Sequence, residues 1–370
     1  MFHLYITLAY LLISVYPFFR IKDLFISKGY KIWYILTYLL LATIFPLMGR
    51  LWFQNSDFLI HALSDFSGYL VPFFLYLSLS VLLFDLFLLF NLRFKMVSLD
   101  KIKAFTFRIY MLAAMILVSV AVVTAGSINL NTIRVSEYRI DVPRKQSKSD
   151  HLRIAFVADI HIMPNTSLRF VEQFIRKVNA LHPDLLLYGG DIIEGNSESE
   201  TINAIESLLN GISTKYGTFG IPGNHEFYMG RIRGNFFQKA GIKLLCDTTL
   251  RIDNSFYLAG RWDQQYQRRK SIGSILESVS PDLPIILMDH RPTQLQEASR
   301  TAVNVQFSGH THNGQLFPIN YFMHTLYELS WGYRKIRDTH FFVTSGLRLW
   351  GPQVKTAGKS EIMLVDIDFN

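Results

Sequence analysis

Four apolar runs, at about Phe2 to Phe19, Ile32 to Met48, Tyr69 to Phe90 and Ile109 to Ala125, follow one another in the first third of the chain. Each approaches the roughly 20 residues that an α-helix needs to cross the hydrocarbon core of a bilayer. Four in succession, with short charged connectors, are hard to bury as core helices of a water-soluble domain. Half of the 370 residues are apolar and the mean hydropathy is +0.21, which also places part of the chain in lipid. The expectation is four membrane-spanning helices within residues 1–126. The first run lacks a basic n-region and a small-residue cleavage site before Arg20, so it reads as a retained helix rather than a signal peptide.

Charge divides the chain in the same way. Residues 1–150 hold 15 Lys and Arg against 8 Asp and Glu, whereas the remainder holds 22 against 21. A nearly neutral second part lacks the positive field on which non-specific nucleic-acid binding depends, so no nucleic-acid partner is expected. Basic residues mark the first connector (Arg20, Lys22, Lys28, Lys31) and the third (Arg93, Lys95, Lys101, Lys103, Arg108), while the second has Arg50 beside Asp57 and Asp65. The positive-inside bias then puts connectors one and three in the cytoplasm and the second part of the chain on the extracytoplasmic face. Arg134, Arg139, Arg144, Lys145 and Lys148 weaken that asymmetry. Asp85 lies inside the third run and is read as reaching the headgroup region near a helix end. Pro17, Pro46 and Pro72 read as boundary or kink residues, and the single Cys246 excludes an intrachain disulfide.

Beyond a linker expected at 127–150, residues 151–370 change to short apolar runs that alternate with amphipathic stretches, the signature of an α/β fold. Leu152 to Ala158, Leu185 to Tyr188, Phe219 to Pro222, Ile285 to Met288 and Val303 to Phe307 read as strands. They end in Asp159-Ile-His161, Gly190-Asp191, Gly223-Asn224-His225-Glu226, Asp289-His290 and Gly309-His310-Thr-His312. Five consecutive strand ends thus deliver Asp, Asn and His to one sheet edge, where open α/β sheets place ligands. Imidazole nitrogen with carboxylate and amide oxygen suits Mn, Fe, Zn, Co or Ni, and the near absence of thiolate argues against a structural zinc cluster. Two divalent ions sharing a carboxylate and a bridging hydroxide can clamp a phosphate between them.

In order and composition these five motifs resemble the calcineurin-like metallophosphoesterase superfamily, over about residues 150–370. The resemblance implies a four-layer α/β/β/α sandwich and two divalent metal ions. The first would be held by Asp159, His161, Asp191 and His312, and the second by Asp191, Asn224, His290 and His310. It further implies His225 as the catalytic histidine, steadying phosphoryl oxygens or protonating the leaving oxygen, with Glu194 orienting it. Many phosphoprotein phosphatases have an arginine where this chain has Gly195, which favours the bacterial small-molecule or lipid branch. The stretches Ile286 to Pro292, Gly309 to Gln315 and Ser345-Gly-Leu resemble membrane-anchored bacterial members of that branch. Lys359 replaces an arginine found in many of them.

The function expected is hydrolysis of a phosphomonoester or phosphodiester, with a lipid-linked ester presented from the bilayer as the favoured substrate. A soluble nucleotide or sugar phosphodiester and a non-catalytic membrane-anchored sensor are the alternatives. Two segments are candidates for substrate recognition. Arg261 to Lys270 gathers Arg261, Arg268, Arg269 and Lys270 around Trp262 and Tyr266, and Phe317 to Tyr333 is an aromatic stretch followed by Arg334, Lys335 and Arg337.

Overall fold

The structure is a computed structural model, and it describes every residue except 1, 52–57, 195–198 and 229–233. The chain divides into two compact units, one comprising 1–128 with 351–356 and the other 129–350 with 357–370.

The first unit is helical: α1 (Phe2–Leu24), α2 (Lys31–Leu51), α3 (Phe58–Phe94), the short α4 (Leu99–Lys103) and α5 (Phe105–Asn131). Among the described residues three helices are long and apolar enough to cross a membrane, over Lys28–Met48, Asp65–Phe94 and Phe105–Asn131. The expected first span is helical, as α1, but is not among those three. Pro17, Pro46 and Pro72 lie inside α1, α2 and α3, so none marks a helix boundary. Inside the unit Tyr10, Tyr38, Phe74, Leu77 and Val81 are buried together, whereas Leu12, Trp33, Leu40, Leu83 and Leu117 point outward. Outward-facing leucines of this density suit a lipid surrounding rather than water.

Asp85 does not stand at the end of its helix. It accepts hydrogen bonds from Arg20 Nε at 2.7 Å, from Arg20 Nη2 and from Tyr16 Oη at 2.6 Å, which ties α3 to α1. A bidentate guanidinium with a tyrosine donor compensates the carboxylate where water is scarce. Residues 351–356 belong to this unit as well: Lys355 N donates to Gly126 O at 3.0 Å, and Thr356 Oγ1 is hydrogen-bonded to Tyr76 Oη.

Among its described residues the second unit forms twelve strands in two six-stranded sheets. They are β1 (Ile133–Val142), β2 (His151–Val157), β3 (Leu185–Tyr188), β4 (Thr218–Gly220), β5 (Lys243–Leu244), β6 (Thr248–Ile252), β7 (Phe256–Gly260), β8 (Ile285–Met288), β9 (Val305–Ser308), β10 (Gly332–Ile336), β11 (Thr339–Val343) and β12 (Ser360–Phe369). The sheet orders are β1-β12-β2-β3-β4-β5 and β10-β11-β9-β8-β7-β6. The strands that carry the motifs run parallel within their sheets, β2 with β3 and β4, and β8 with β9. Their C-terminal ends therefore share an edge.

Alternation explains the layers. Leu152, Ile154, Phe156, Leu185, Leu187 and Val365 point between the sheets and meet Met288, Phe307 and Phe342 of the second sheet. Ala155, Val157, Leu186 and Tyr188 point the other way, onto helices α6 (Leu168–Ala180) and α7 (Glu200–Leu209). The far face of the second sheet is covered by short helices carrying Ile272, Ile275, Leu295 and Ala298. Strands covered on both faces read as continuous apolar runs, and the result is the expected α/β/β/α sandwich.

The segment 127–150 departs from its expected role as a linker. Its residues 133–142 form β1, paired in parallel with β12 from Ile133 opposite Ser360 to Val142 opposite Phe369. Outward charges at Arg134, Glu137, Arg139 and Asp141 mask the strand in the sequence. Arg139 Nε donates to Asp368 Oδ2 on β12 at 2.6 Å.

Candidate metal centre

The loops that follow β2, β3, β8 and β9 turn back sharply enough to aim side chains at one point. Asp159, His161, Asp191, His310 and His312 all have left-handed backbone, with φ of 56°, 49°, 52°, 71° and 49°. Non-glycine residues seldom adopt this region, and it clusters where function holds the chain in place. Backbone bonds across the loops maintain it: Asp159 N donates to Gly190 O at 3.0 Å and His161 N to Asp191 O at 3.0 Å.

Those side chains converge in three groups, each able to hold a metal ion. They are Asp159, His161 and His312; His161, Asp191 and His225; and Asp191, His290 and His310, with the donor atoms of each group within 4.8 Å of one another. Asp191 Oδ2 lies 3.2 Å from His290 Nε2 and 3.9 Å from His225 Nε2. His161 Nε2 lies 3.3 Å from His312 Nε2, and Asn224 Oδ1 lies 3.3 Å from His290 Nε2. The seven expected ligands are thus brought to one place, with Asp191 in two of the groups.

Surrounding bonds select which ring nitrogens face inward. His290 Nδ1 donates to Gly189 O at 2.7 Å, and His161 Nδ1 lies 2.5 Å from Glu194 Oε1, so Nε2 of both rings points into the cluster. Outer partners of this kind set tautomer and ring orientation in metal sites. The same Glu194 oxygen lies 2.6 Å from Nδ1 of His225. One carboxylate therefore orients a ligand and the expected catalytic histidine together.

The electrostatics suit a cation. Burial raises the Asp159 carboxyl, whereas Asp191, though equally buried, is held well below the usual carboxylate range by His290 and its neighbours. Burial opposes a charge on His290, but Asp191 and Asp159 push it up to about 10, and burial together with His290 lowers His310 to about 3. Buried carboxylates among imidazoles hold positive charge in their midst, and nitrogen and oxygen donors at this spacing fit divalent transition metals.

Two participants were not legible as such in the sequence. Glu226, in the Gly223-Asn224-His225-Glu226 motif, is buried and accepts from Gly223 N at 2.7 Å, Ile192 N at 2.6 Å, Asp191 N at 3.1 Å and Ile193 N at 3.2 Å. It locks the Asp191 loop to the His225 loop, and the motif itself was the signal that could have found it. Trp350 places its ring 5.9 Å from that of His225, and no spacing in the sequence marks it.

Other expectations resolve differently. Asp289 turns away from the cluster and accepts from Arg261 Nη1 at 2.8 Å and from Arg269. These two arginines, read as candidates for substrate recognition, brace the end of β8. The Trp262 and Tyr266 rings lie 4.7 Å apart, tilted by 33°, and both lie against Phe227, two residues beyond His225. Lys359 Nζ sits 5.6 Å from the centre of the Trp331 ring. Gly195 and Asp57 lie outside the described residues.

Gly223 supplies a test of how tightly the centre is built. A Cβ there would come 2.2 Å from Asp191 Oδ1 and 2.5 Å from Asp191 N, so the shared carboxylate must move. Gly223→Ala is expected to weaken Mn²⁺ binding by about 10- to 100-fold, the range for disturbed outer-shell support. Metal titration of the purified chain checks this, and unchanged affinity would contradict the placement of Gly223.

The family profile described as calcineurin-like phosphoesterase matches residues 152–314. An uncharacterised metallophosphoesterase of Campylobacter jejuni is 30% identical over 283 residues, covering 72% of this chain and 72% of its own. A cattle protein described as a transmembrane protein with a metallophosphoesterase domain is 29% identical over 286 residues, covering 72% of this chain and 63% of its own. A UDP-2,3-diacylglucosamine pyrophosphatase of Chlamydia trachomatis is 22% identical over 246 residues, covering 52% of this chain and 73% of its own.

Proposed function

We infer the reaction from the premise that this chain belongs to the calcineurin-like metallophosphoesterase family: it hydrolyses a phosphate ester at the Asp and His cluster, using two divalent ions. The observation that carries this reading is Asp191, whose carboxylate belongs to two of the candidate ligand groups at once. Asp159, His161, Asp191 and His312 would hold one ion, and Asp191, Asn224, His290 and His310 the other. Bound there, the ions supply a nucleophilic water at neutral pH and neutralise charge on the phosphoryl oxygens.

The chain's own residues do the rest. His225 Nδ1 is fixed by Glu194, so Nε2 faces the cluster and serves as the proton donor to the leaving oxygen. Burial disfavours its imidazolium, but Glu194 and Asp191 outweigh that and raise its pKa above the ordinary histidine value. The acid form is therefore retained at neutral pH and lost as pH rises through the raised pKa. Glu194→Gln removes a charge held ionised, against burial, by His161 and His225, whose bonds keep it at about 2. The variant is expected to lose about 10- to 100-fold in kcat and to move the alkaline limb of the kcat profile to lower pH. A pH-rate series reads both, and an unmoved limb removes Glu194 from the proton-donor account.

The favoured substrate is a phosphate ester carried on a lipid. Support comes from the three apolar helices and from the Chlamydia relative, whose name gives a diacylated sugar nucleotide as its substrate. We further propose that α1 is a fourth span and that the second unit lies on the extracytoplasmic face. This follows the bias of basic residues toward the first and third connectors.

The test is hydrolysis by the full chain, loaded with Mn²⁺, of a soluble aryl phosphodiester and of a phosphodiester embedded in vesicles. Chelator-sensitive turnover with preference for the embedded ester is expected. Equal turnover of both would favour a soluble nucleotide or sugar diester, and no turnover of either would leave a binding role.

A further inference from the structure

Immediately after the His310–His312 loop the chain forms a helix, Ile319–Leu326, that buries none of its residues. On it and its approach Phe317 is 46% exposed, Ile319 40%, Tyr321 64%, Phe322 62% and Leu326 59%. Among the described residues, every other exposed large apolar side chain except Leu168 and Tyr333 lies between Leu8 and Ile128. A contiguous apolar patch of this kind on a folded domain marks an interaction surface.

The helix is seated firmly on the metal-ligand loop. At Gly314, with φ of 71°, a Cβ would come 2.8 Å from Met323 Cγ and 2.9 Å from the Asn320 backbone. Beneath it Thr311 Oγ1 donates to Ser330 O, and Ser330 Oγ is hydrogen-bonded to His324 Nδ1 at 2.8 Å. The apolar side chains are therefore held outward beside the cluster by a rigid base.

We propose that Phe317–Leu326 is a bilayer-inserting element that seats the mouth of the metal cluster on the membrane the chain itself spans. Its occupant is the interfacial and upper acyl region of the lipid. The proposal rests on reading the apolar helices as membrane spans, and it deepens the lipid-ester reading of the site. A bilayer is within reach by connectivity, because Thr132 alone separates the end of α5 from the start of β1. Phe, Tyr, Ile and Leu are the side chains that partition into the headgroup and acyl boundary. Following the helix, Arg334, Lys335 and Arg337 stand against Glu328 and Asp338, a net charge of only one. Apolar burial therefore dominates, and attachment depends weakly on salt.

The experiment uses the full chain in phosphatidylethanolamine–phosphatidylglycerol vesicles. Cys246 is the only cysteine, so Cys246→Ser gives a background for a nitroxide placed by Phe322→Cys, with Glu172→Cys, on the exposed face of α6, as control. The label at 322 is expected to be shielded from a water-soluble relaxing agent and accessible to oxygen, with the label at 172 showing the reverse. A label at 322 as water-accessible as that at 172, or dipolar coupling between 322 labels of two chains, overturns the proposal. A second arm is Tyr321→Asp with Phe322→Asp, expected to lower turnover of the vesicle-embedded ester at least tenfold while soluble diester turnover stays within twofold. Embedded-ester turnover that stays within twofold also overturns it. An inserted label in a chain that prefers the soluble ester keeps the inserting element and removes only the lipid-ester reading.

Discussion

Asp191→Ala is expected to lower kcat for phosphodiester hydrolysis by at least about 10³-fold and to reduce the number of bound divalent ions. The magnitude follows from what that carboxylate does at once. Oδ1 accepts from His225 N at 2.8 Å, Oδ2 lies 3.2 Å from His290 Nε2, and the side chain is buried. Removing it takes the shared anion from two ligand groups and leaves His161, His290, His310 and His312 gathered around a centre with one carboxylate fewer. A loss of 10³ is about 4 kcal/mol of transition-state stabilisation, the order of several kcal/mol that metal-assisted neutralisation supplies. The shape-preserving Asp191→Asn should lose nearly as much, since charge rather than volume is at issue. Steady-state assays with metal analysis of each variant check this. Activity within tenfold of the parent chain, at full metal occupancy, would remove Asp191 from the centre of the account.

The second large effect is at His225, and it should differ in kind. His225→Ala is expected to lower kcat about 10²- to 10⁴-fold, the range for a positioned proton donor, while metal content stays the same. The size should depend on the ester. With a nitrophenolate leaving group, stable without a proton, the loss falls toward the lower bound. With an alkoxide leaving group it rises toward the upper one. If both esters lost the same factor, His225 would be steadying phosphoryl oxygens rather than protonating the leaving oxygen. A loss of bound metal would instead make His225 a ligand, as its grouping with His161 and Asp191 allows.

How much of this was legible in the sequence depended on burial. Leu185 to Tyr188 and Ile285 to Met288 read as strands with the limits they have in the structure, because both are covered on two faces and appear as unbroken apolar runs. The run read as Phe219 to Pro222 is a strand only over Thr218–Gly220, since the backbone beyond it already turns toward Asn224. Strand β1 was missed because half of it faces water and carries charge, and pairing with a strand more than 200 residues later leaves no local trace. In the membrane half the apolar runs were plain, but the Arg20–Asp85 pair was not, because a helical residue's partner on another helix has no fixed sequence spacing.

The site divided along the same line. Donor types and their order stand in the sequence as strand ends, so the seven residues that the structure gathers, Asp159, His161, Asp191, Asn224, His290, His310 and His312, could be named from it as candidates. Their left-handed backbone could not, because it is imposed by bonds such as His161 N to Asp191 O between separate loops. The same holds for Glu226 bridging two loops and for Asp289 turning to Arg261. Glycine stands before Asp191, Asn224 and His310, and Gly223 shows why: nothing larger fits against Asp191.

Whether the Asp191 carboxylate serves two ions is tested most directly with Mn²⁺. The full chain, freed of metal and titrated with Mn²⁺, would be followed by metal analysis and electron paramagnetic resonance. Two ions held about 3.5 to 4 Å apart predict two Mn²⁺ per chain with an exchange-coupled spectrum, and loss of that coupling in Asp191→Ala. One Mn²⁺ per chain at saturation, or two with uncoupled spectra, would contradict the account.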